Sequence, residues 1–289
     1  MKKNSLTILR EKAIDFIHSM WGKDCYKNPR EDIDTSNFNQ IANRVFIDMI
    51  GNVKSSTNPF MFRIAGQSGS GKTTQLLPSI QKITDKNFVN ISVRIFAKYH
   101  PRYNELLLDY GESMIREKTN GFALLMLFRI MELLIKNRYN IIFETTLLDN
   151  TFEEYLFKLS KKNNYTIHIH TLSIPQKISN LWIEDRKNNS LTEKNRVVLK
   201  SSSDFFFNIL PIAIKNIIEY NFWNKTDKII LWNGFSNNPI YIGKIKNNKD
   251  VFNIFQEYRE IDNFKIQDKQ KLLNAKIKWF KKYYATKYE

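Results

Sequence analysis

A chain of 289 residues with 42% hydrophobic content can bury a sizeable core, either as one α/β domain with additions or as two small domains. Its single cysteine, Cys25, excludes an internal disulfide framework and any cysteine-based metal cluster, and suits a reducing cytoplasm. A formal charge of +16 fits polyanionic partners such as nucleic acid or phosphorylated substrates, although abundant Lys, Asn, Ile, Phe and Tyr are also the usage of an AT-rich coding sequence.

Met1-Lys2-Lys3 resembles the start of an export signal, but Arg10, Glu11 and Lys12 arrive before an adequate apolar core, so the start reads as not exported. Leu6, Leu9, Ala13, Ile14, Phe16 and Ile17 approximate one helical stripe, and Ile41, Val45, Phe46 and Met49 a second. Residues 1–57 therefore read as a helical lead-in, closed by turn-forming residues between Gly51 and Pro59.

Phe60-Met61-Phe62-Arg63-Ile64-Ala65 is a mostly apolar run that reads as a buried strand. It leads into Gly66-Gln67-Ser68-Gly69-Ser70-Gly71-Lys72-Thr73-Thr74, the spacing of a phosphate-binding loop. Backbone N–H groups of such a loop converge on phosphate oxygens, a lysine in the position of Lys72 reaches the β- and γ-phosphates, and the Thr73 hydroxyl is placed to ligate Mg²⁺. A helix is expected directly afterwards, over residues 73–86, with Leu76, Leu77, Ile80 and Ile83 on one side and its positive end towards the phosphates.

Residues 88–93 form the next strand candidate, followed by His100-Pro101-Arg102-Tyr103, in which proline biases His100 towards an extended or turn geometry. Residues 121–137 read as a long apolar helix whose Arg129 and Glu132 rule out a membrane span. Ile141-Ile142-Phe143-Glu144-Thr145-Thr146 is a third buried strand ending in an acid. Parallel strands present their carboxyl ends to the ligand crevice, which makes Glu144 a functional candidate; the alternative is a cap on the following helix.

Residues 166–174 read as a fourth strand, with His168 and His170 on one face but no third ligand nearby to make a metal site. Arginines beyond it could close over a transferring phosphoryl group, yet residue type alone does not choose Arg186 or Arg196 over other surface arginines. Residues 228–233 give a fifth strand, against which residues 239–243 can hairpin. From Lys265 onwards eight lysines stand against Asp268 and Glu289, with Trp279, Phe280, Tyr283 and Tyr284 interleaved. Such a segment can touch nucleic acid or membrane, or pack its aromatics on the body.

The expected architecture is α/β: a doubly wound, mainly parallel sheet of about five strands with helices on both faces and extra terminal helices. Its core unit spans residues 58–245, and residues 246–289 form a basic helical extension.

In these motifs and their order, residues 58–245 resemble the zeta toxin family of phosphate-loop kinases. The match rests on the loop from Gly66 to Thr74, on His100-Pro101-Arg102-Tyr103, on the strand ending Glu144-Thr145-Thr146, on Arg186 followed by Arg196, and on Asp204 with Ile209-Leu210-Pro211. The resemblance implies ATP (or GTP) and Mg²⁺ as cofactors and transfer to the 3′-hydroxyl of the sugar in UDP-N-acetylglucosamine. It also implies a restraining antitoxin, and Arg186 and Arg196 on the γ-phosphate.

The chain departs from the family where the acceptor is handled. Arg94 stands where the family carries an aspartate base, and a guanidinium cannot accept the proton. Leu148 replaces an expected arginine and Phe128 a helix acid. A kinase with another base, Glu144 foremost, a kinase for another acceptor, and an ATP-binding protein without transfer are all consistent with that pattern. The basic tail adds a nucleic-acid-directed ATPase or polynucleotide kinase.

Overall fold

The computed structural model describes residues 4–22, 35–84, 87–147, 150–189, 200–233, 239–246 and 248–260. The apolar runs become strands β1 (Phe60–Ala65), β2 (Val89–Ser92), β3 (Ile141–Glu144), β4 (Thr166–Leu172) and β5 (Lys228–Trp232), joined by β6 (Tyr241–Lys244). They form one sheet in the order β2-β3-β1-β4-β5-β6. β1 to β5 are mutually parallel, and β6 returns antiparallel along β5. The sheet thus has six strands, five parallel and a sixth that is the return hairpin expected at residues 239–243. β6 is a short edge strand with Ile242 exposed, so it lacks the continuous apolar signal of strands buried on both faces.

Eight α-helices are described: α1 (Ser5–Trp21), α2 (Thr35–Ile50), α3 (Leu77–Ile83), α4 (Tyr103–Lys136), α5 (Asn150–Lys162), α6 (Gln176–Asn189), α7 (Lys200–Glu219) and α8 (Lys249–Glu260). The alternation of β1 divides them. Met61 and Ala65 face a large core with α1, α2, α4, α5, α7 and α8, whereas Phe62 and Ile64 face a smaller one with Ile80 of α3 and Ile178 and Trp182 of α6. Ala13 and Ile17 of α1 and Ala42 and Val45 of α2 are fully or almost fully buried in the larger core.

Two helix expectations are corrected. The apolar helix starts at Tyr103 rather than Gly121 and is two helices merged across Gly111 (φ 69°, ψ 172°). Its first half has Leu108, Tyr110 and Met114 exposed, which hid it from an apolar-stripe reading. The phosphate-loop helix does not run unbroken from Thr73 to Lys86. Residues 72–76 form a π turn and the α-helix proper covers Leu77–Ile83. Pro78 has no N–H for the carbonyl of Thr74 and its ring crowds that carbonyl, so the preceding turn widens.

Candidate functional site

β1 is central, flanked by β3 and β4, so its carboxyl end opens at the point where the chain crosses from one side of the sheet to the other. The loop from Gly66 to Thr74 leaves from that point. Gly69 (φ 74°) lies in the left-handed region, and a Cβ there would stand 2.4 Å from the Ser179 carbonyl oxygen of α6. Gly71 (φ 95°) makes the left-handed step into the π turn. Gln67, Ser70 and Lys72 are buried, while Thr73 is exposed. The Ser70 Oγ is enclosed without a hydrogen-bond partner among the described residues.

The Lys72 ammonium bends back across the loop and donates to the carbonyl oxygens of Gly66 at 2.7 Å and Gln67 at 2.9 Å. The two carbonyl oxygens thus hold the ammonium against the loop, at the position the phosphate-loop spacing gives its lysine.

Parallel pairing sets the second half of the site. Ile64 registers with Glu144 on β3, and Ser92 of β2 registers with the same Glu144. The acid therefore emerges at the level of the loop, and Thr73 Oγ1 lies 2.9 Å from both Glu144 carboxylate oxygens. Two hard oxygen donors converge there, the donor type that Mg²⁺ takes alongside phosphate and water.

Beyond β2, residues 93–99 form a 3₁₀ turn that carries an exposed Arg94. His100 closes the turn. Its Nδ1 accepts the Arg102 backbone N–H at 3.1 Å, its ring meets Phe122 edge-on, and burial together with the Arg102 charge pushes its pKa down to about 4. It is neutral at physiological pH, and this fixed geometry fits a structural turn residue. His170 is likewise a core group: Trp232 Nε1–H donates to its Nδ1 at 3.2 Å. Phe128 lies in the C-terminal third of α4, stacked on Tyr155 and away from solvent.

Arg186 lies on α6, the helix that leans on the loop at Gly69, though its side chain is outside the described set; Arg196 and Leu148 lie outside the described residues altogether. Reading by motif missed the side chain of Gln67, whose amide Nε2 donates to the Ile174 carbonyl at 2.7 Å and whose Oε1 accepts from Arg259 of α8 at 2.9 Å. The loop spacing leaves that position open to any residue, so only the fold assigns it a contact.

A phosphate loop at the central strand of a doubly wound parallel sheet, with an acid at the neighbouring strand tip, defines a phosphate-loop protein with a kinase-like fold. The family model for the zeta toxin matches residues 46–244, more than half of the chain, and the protein belongs to the zeta toxin family. The toxin PezT of Streptococcus pneumoniae is 30% identical over 155 residues, 52% of this chain and 59% of that one. The zeta toxin of Streptococcus pyogenes is 23% identical over 173 residues, 59% of this chain and 60% of its own length. The chain thus spans about 60% of the length of these curated relatives. A solved structure of the PezAT chromosomal toxin-antitoxin system of Streptococcus pneumoniae superposes with a TM-score of 0.69 at 24% identity, covering 86% of this chain and 96% of that one. No described helix is long and apolar enough to cross a membrane.

Proposed function

We propose that this protein is an ATP- (or GTP-) and Mg²⁺-dependent phosphotransferase acting on an alcohol, with the 3′-hydroxyl of the sugar in UDP-N-acetylglucosamine as the leading acceptor. The observation that carries the reading is the convergence of the Lys72-bearing loop with the Thr73–Glu144 pair at one end of the sheet. Lys72 holds the β- and γ-phosphates, and Thr73 and Glu144 hold the metal, whose charge offsets that of the phosphate oxygens. Arg186 and Arg196, placed by family resemblance, hold the γ-phosphoryl oxygens. The acceptor oxygen bonds to the γ-phosphorus as the bond to the bridging oxygen breaks, the nucleoside diphosphate leaves, and the hydroxyl proton passes to solvent water.

Glu144 remains the first choice for a catalytic carboxylate, and its position favours metal holding over proton abstraction. A hydroxyl has one proton to donate, so a carboxylate centred on the Thr73 oxygen occupies the ground of a cation ligand rather than of a base aimed at an acceptor. The relative described as a toxin-antitoxin system supports a partner antitoxin. The experiment is incubation with γ-labelled ATP, Mg²⁺ and a panel of alcohol acceptors that includes UDP-N-acetylglucosamine. A labelled product is expected; the absence of nucleotide binding would refute the reading.

Arg94 favours a second reading, an ATP-binding protein that has lost transfer. It places a cation just past the strand whose tip pairs with Glu144. Transfer gained only in Arg94→Asp would establish that second reading. The nucleic-acid-directed alternative rests on the basic tail, which lies outside the described residues, and predicts salt-dependent retention on nucleic acid.

A further inference from the structure

The second residue of the phosphate loop is gripped from three sides. Gln67 is fully buried, and its Nε2 donates to the Ile174 carbonyl just beyond β4, with Ser179 Oγ of α6 at 3.4 Å. Its Oε1 faces the other way, to Arg259 Nη1 in the last turn of α8 at 2.9 Å. An amide held on both its donor and acceptor ends has no rotational freedom left, so the backbone of residue 67, which offers a carbonyl to Lys72, is fixed with it.

Arg259 is an unusual residue to find there. It is 5% exposed, its Nη2 donates to the Phe207 carbonyl of α7, and its guanidinium carbon sits over the Phe207 ring, 3.7 Å from the centroid. Among the described residues no carboxylate bonds it; Glu260 acts on it only through space. Burial draws its pKa down to about 10, which leaves it charged at neutral pH. A buried cation without a carboxylate partner is costly. Here the cost is retained one side chain away from a loop built for polyanions.

α8 is itself firmly seated. Val251 and Phe255 are fully buried, and the Phe255 carbonyl accepts from Ser173 Oγ, one residue before Ile174. α7 is tied to the start of α6 by Gln176 Nε2 to Asp204 Oδ1 at 2.6 Å and by Ser203 Oγ to Asn180 Oδ1 at 3.0 Å. Arg259 therefore joins the phosphate loop, α7 and its own helix α8 through one guanidinium, and reaches α6, the helix carrying Arg186, only through α7.

We infer that Arg259 is a positioning residue for the phosphate loop: through Gln67 it holds the loop in its phosphate-receiving shape, and its charge finds its counter-anion in the bound triphosphate. Nucleotide binding and the seating of α8 are then coupled, each strengthening the other. The inference rests on the triphosphate reading of the site and adds a residue outside every motif of that reading.

The test measures binding of MgATP and of its non-hydrolysable analogue to the full chain by calorimetry, beside the apparent KM and kcat for ATP consumption. Arg259→Met should weaken MgATP binding about tenfold or more and raise KM with kcat within about twofold. Arg259→Lys, which keeps the charge but not the planar fork, should recover part of the loss. Gln67→Met removes the same link from the loop side, and the double variant should bind no worse than the weaker single one. Gln67→Glu separates this role from a purely structural one: it gives Arg259 an anionic partner and should raise melting temperature without nucleotide while weakening MgATP.

Wild-type affinity in a cooperatively melting Arg259→Met or Gln67→Met protein overturns the inference alone. Wild-type protein that binds no triphosphate overturns the site reading together with it. Should Arg259→Met fail to fold, Gln67→Met and Gln67→Glu decide, because neither leaves the guanidinium side of the cluster truncated.

Discussion

Thr73 Oγ1 stands 2.9 Å from each carboxylate oxygen of Glu144, a contact between residues 71 positions apart that exists only because β1 and β3 are parallel neighbours in register. If this pair holds the metal, Glu144→Gln should depress phosphoryl transfer by roughly 10²-fold or more, and raised Mg²⁺ should restore part of the rate. A general base would give the same fall without restoration by metal. Turnover and metal requirement both unchanged would remove Glu144 from the site.

Lys72 makes the second prediction. Its ammonium donates to the carbonyls of Gly66 and Gln67, and hydrogen bonds to charged groups contribute about 1.5–3 kcal/mol. Lys72→Met should weaken triphosphate binding by about 10- to 100-fold while the protein still melts cooperatively. Undiminished affinity in calorimetry would show that the triphosphate does not lie in the loop.

How far the sequence reaches is clear from these residues. The loop from Gly66 to Thr74 and the acid at Glu144 were legible because their chemistry demands fixed residue types at fixed spacing, and the parallel strands because burial on both faces leaves unbroken apolar runs. The contacts that join distant segments were not. Arg259 lies 192 positions from Gln67 and sits in an amphipathic helix where a lone arginine reads as surface. The first half of α4 hid because it exposes apolar side chains, and the π turn because Pro78 acts on a carbonyl four residues behind it. Long-range pairing and backbone sterics of this kind leave no periodic trace.

Arg63 in the central strand is a third case, polar where the pattern reads core. It is fully buried, stacked over Phe143 at 3.8 Å and hydrogen-bonded to buried Glu153 of α5, while its Nε and Nη1 find no partner among the described residues. Breaking such a pair from one side leaves a lone charge in the core, at a cost of about 3–5 kcal/mol. Arg63→Met alone should shift the urea midpoint down sharply. Combining it with Glu153→Met should restore much of the loss, because two apolar side chains need no partner. Equal midpoints for single and double variants would mean that the pair is energetically uncoupled.

Arg10 gives a fourth prediction, at the junction of the lead-in and the core. Its Nε and Nη2 donate to the two carboxylate oxygens of fully buried Glu132, which also accepts Tyr155 O–H at 2.5 Å. Burial pushes the Glu132 carboxyl up, but the hydrogen bonds from Arg10 and Tyr155 outweigh it and hold the group below its ordinary range. Arg10→Ala strips one side of that network and should cost about 1–3 kcal/mol in denaturant unfolding. A loss within about 0.5 kcal/mol, ordinary for a surface substitution, would mean that α1 is not anchored through this contact.

Acid should unfold this protein by way of its histidines. Burial, reinforced by His168, pushes His170 down to about 3, and burial with the Arg102 charge pushes His100 to about 4, from an ordinary value of 6.5. His168 is lowered in the same sense, by burial and then Lys228. In the window between the folded and ordinary values the unfolded chain binds protons that the folded chain does not, so stability rises with pH there. The contribution is fully present above about pH 6.5 and is lost progressively as pH falls towards the folded values. His170→Asn retains an acceptor for the Trp232 N–H at 3.2 Å but cannot take up a proton. Its absolute stability should fall, since a smaller side chain leaves a void beside Phe62, yet its urea midpoint should decline less steeply than wild type from about pH 7 to about pH 4.5. Parallel declines in the two proteins would show that His170 titrates alike in both states.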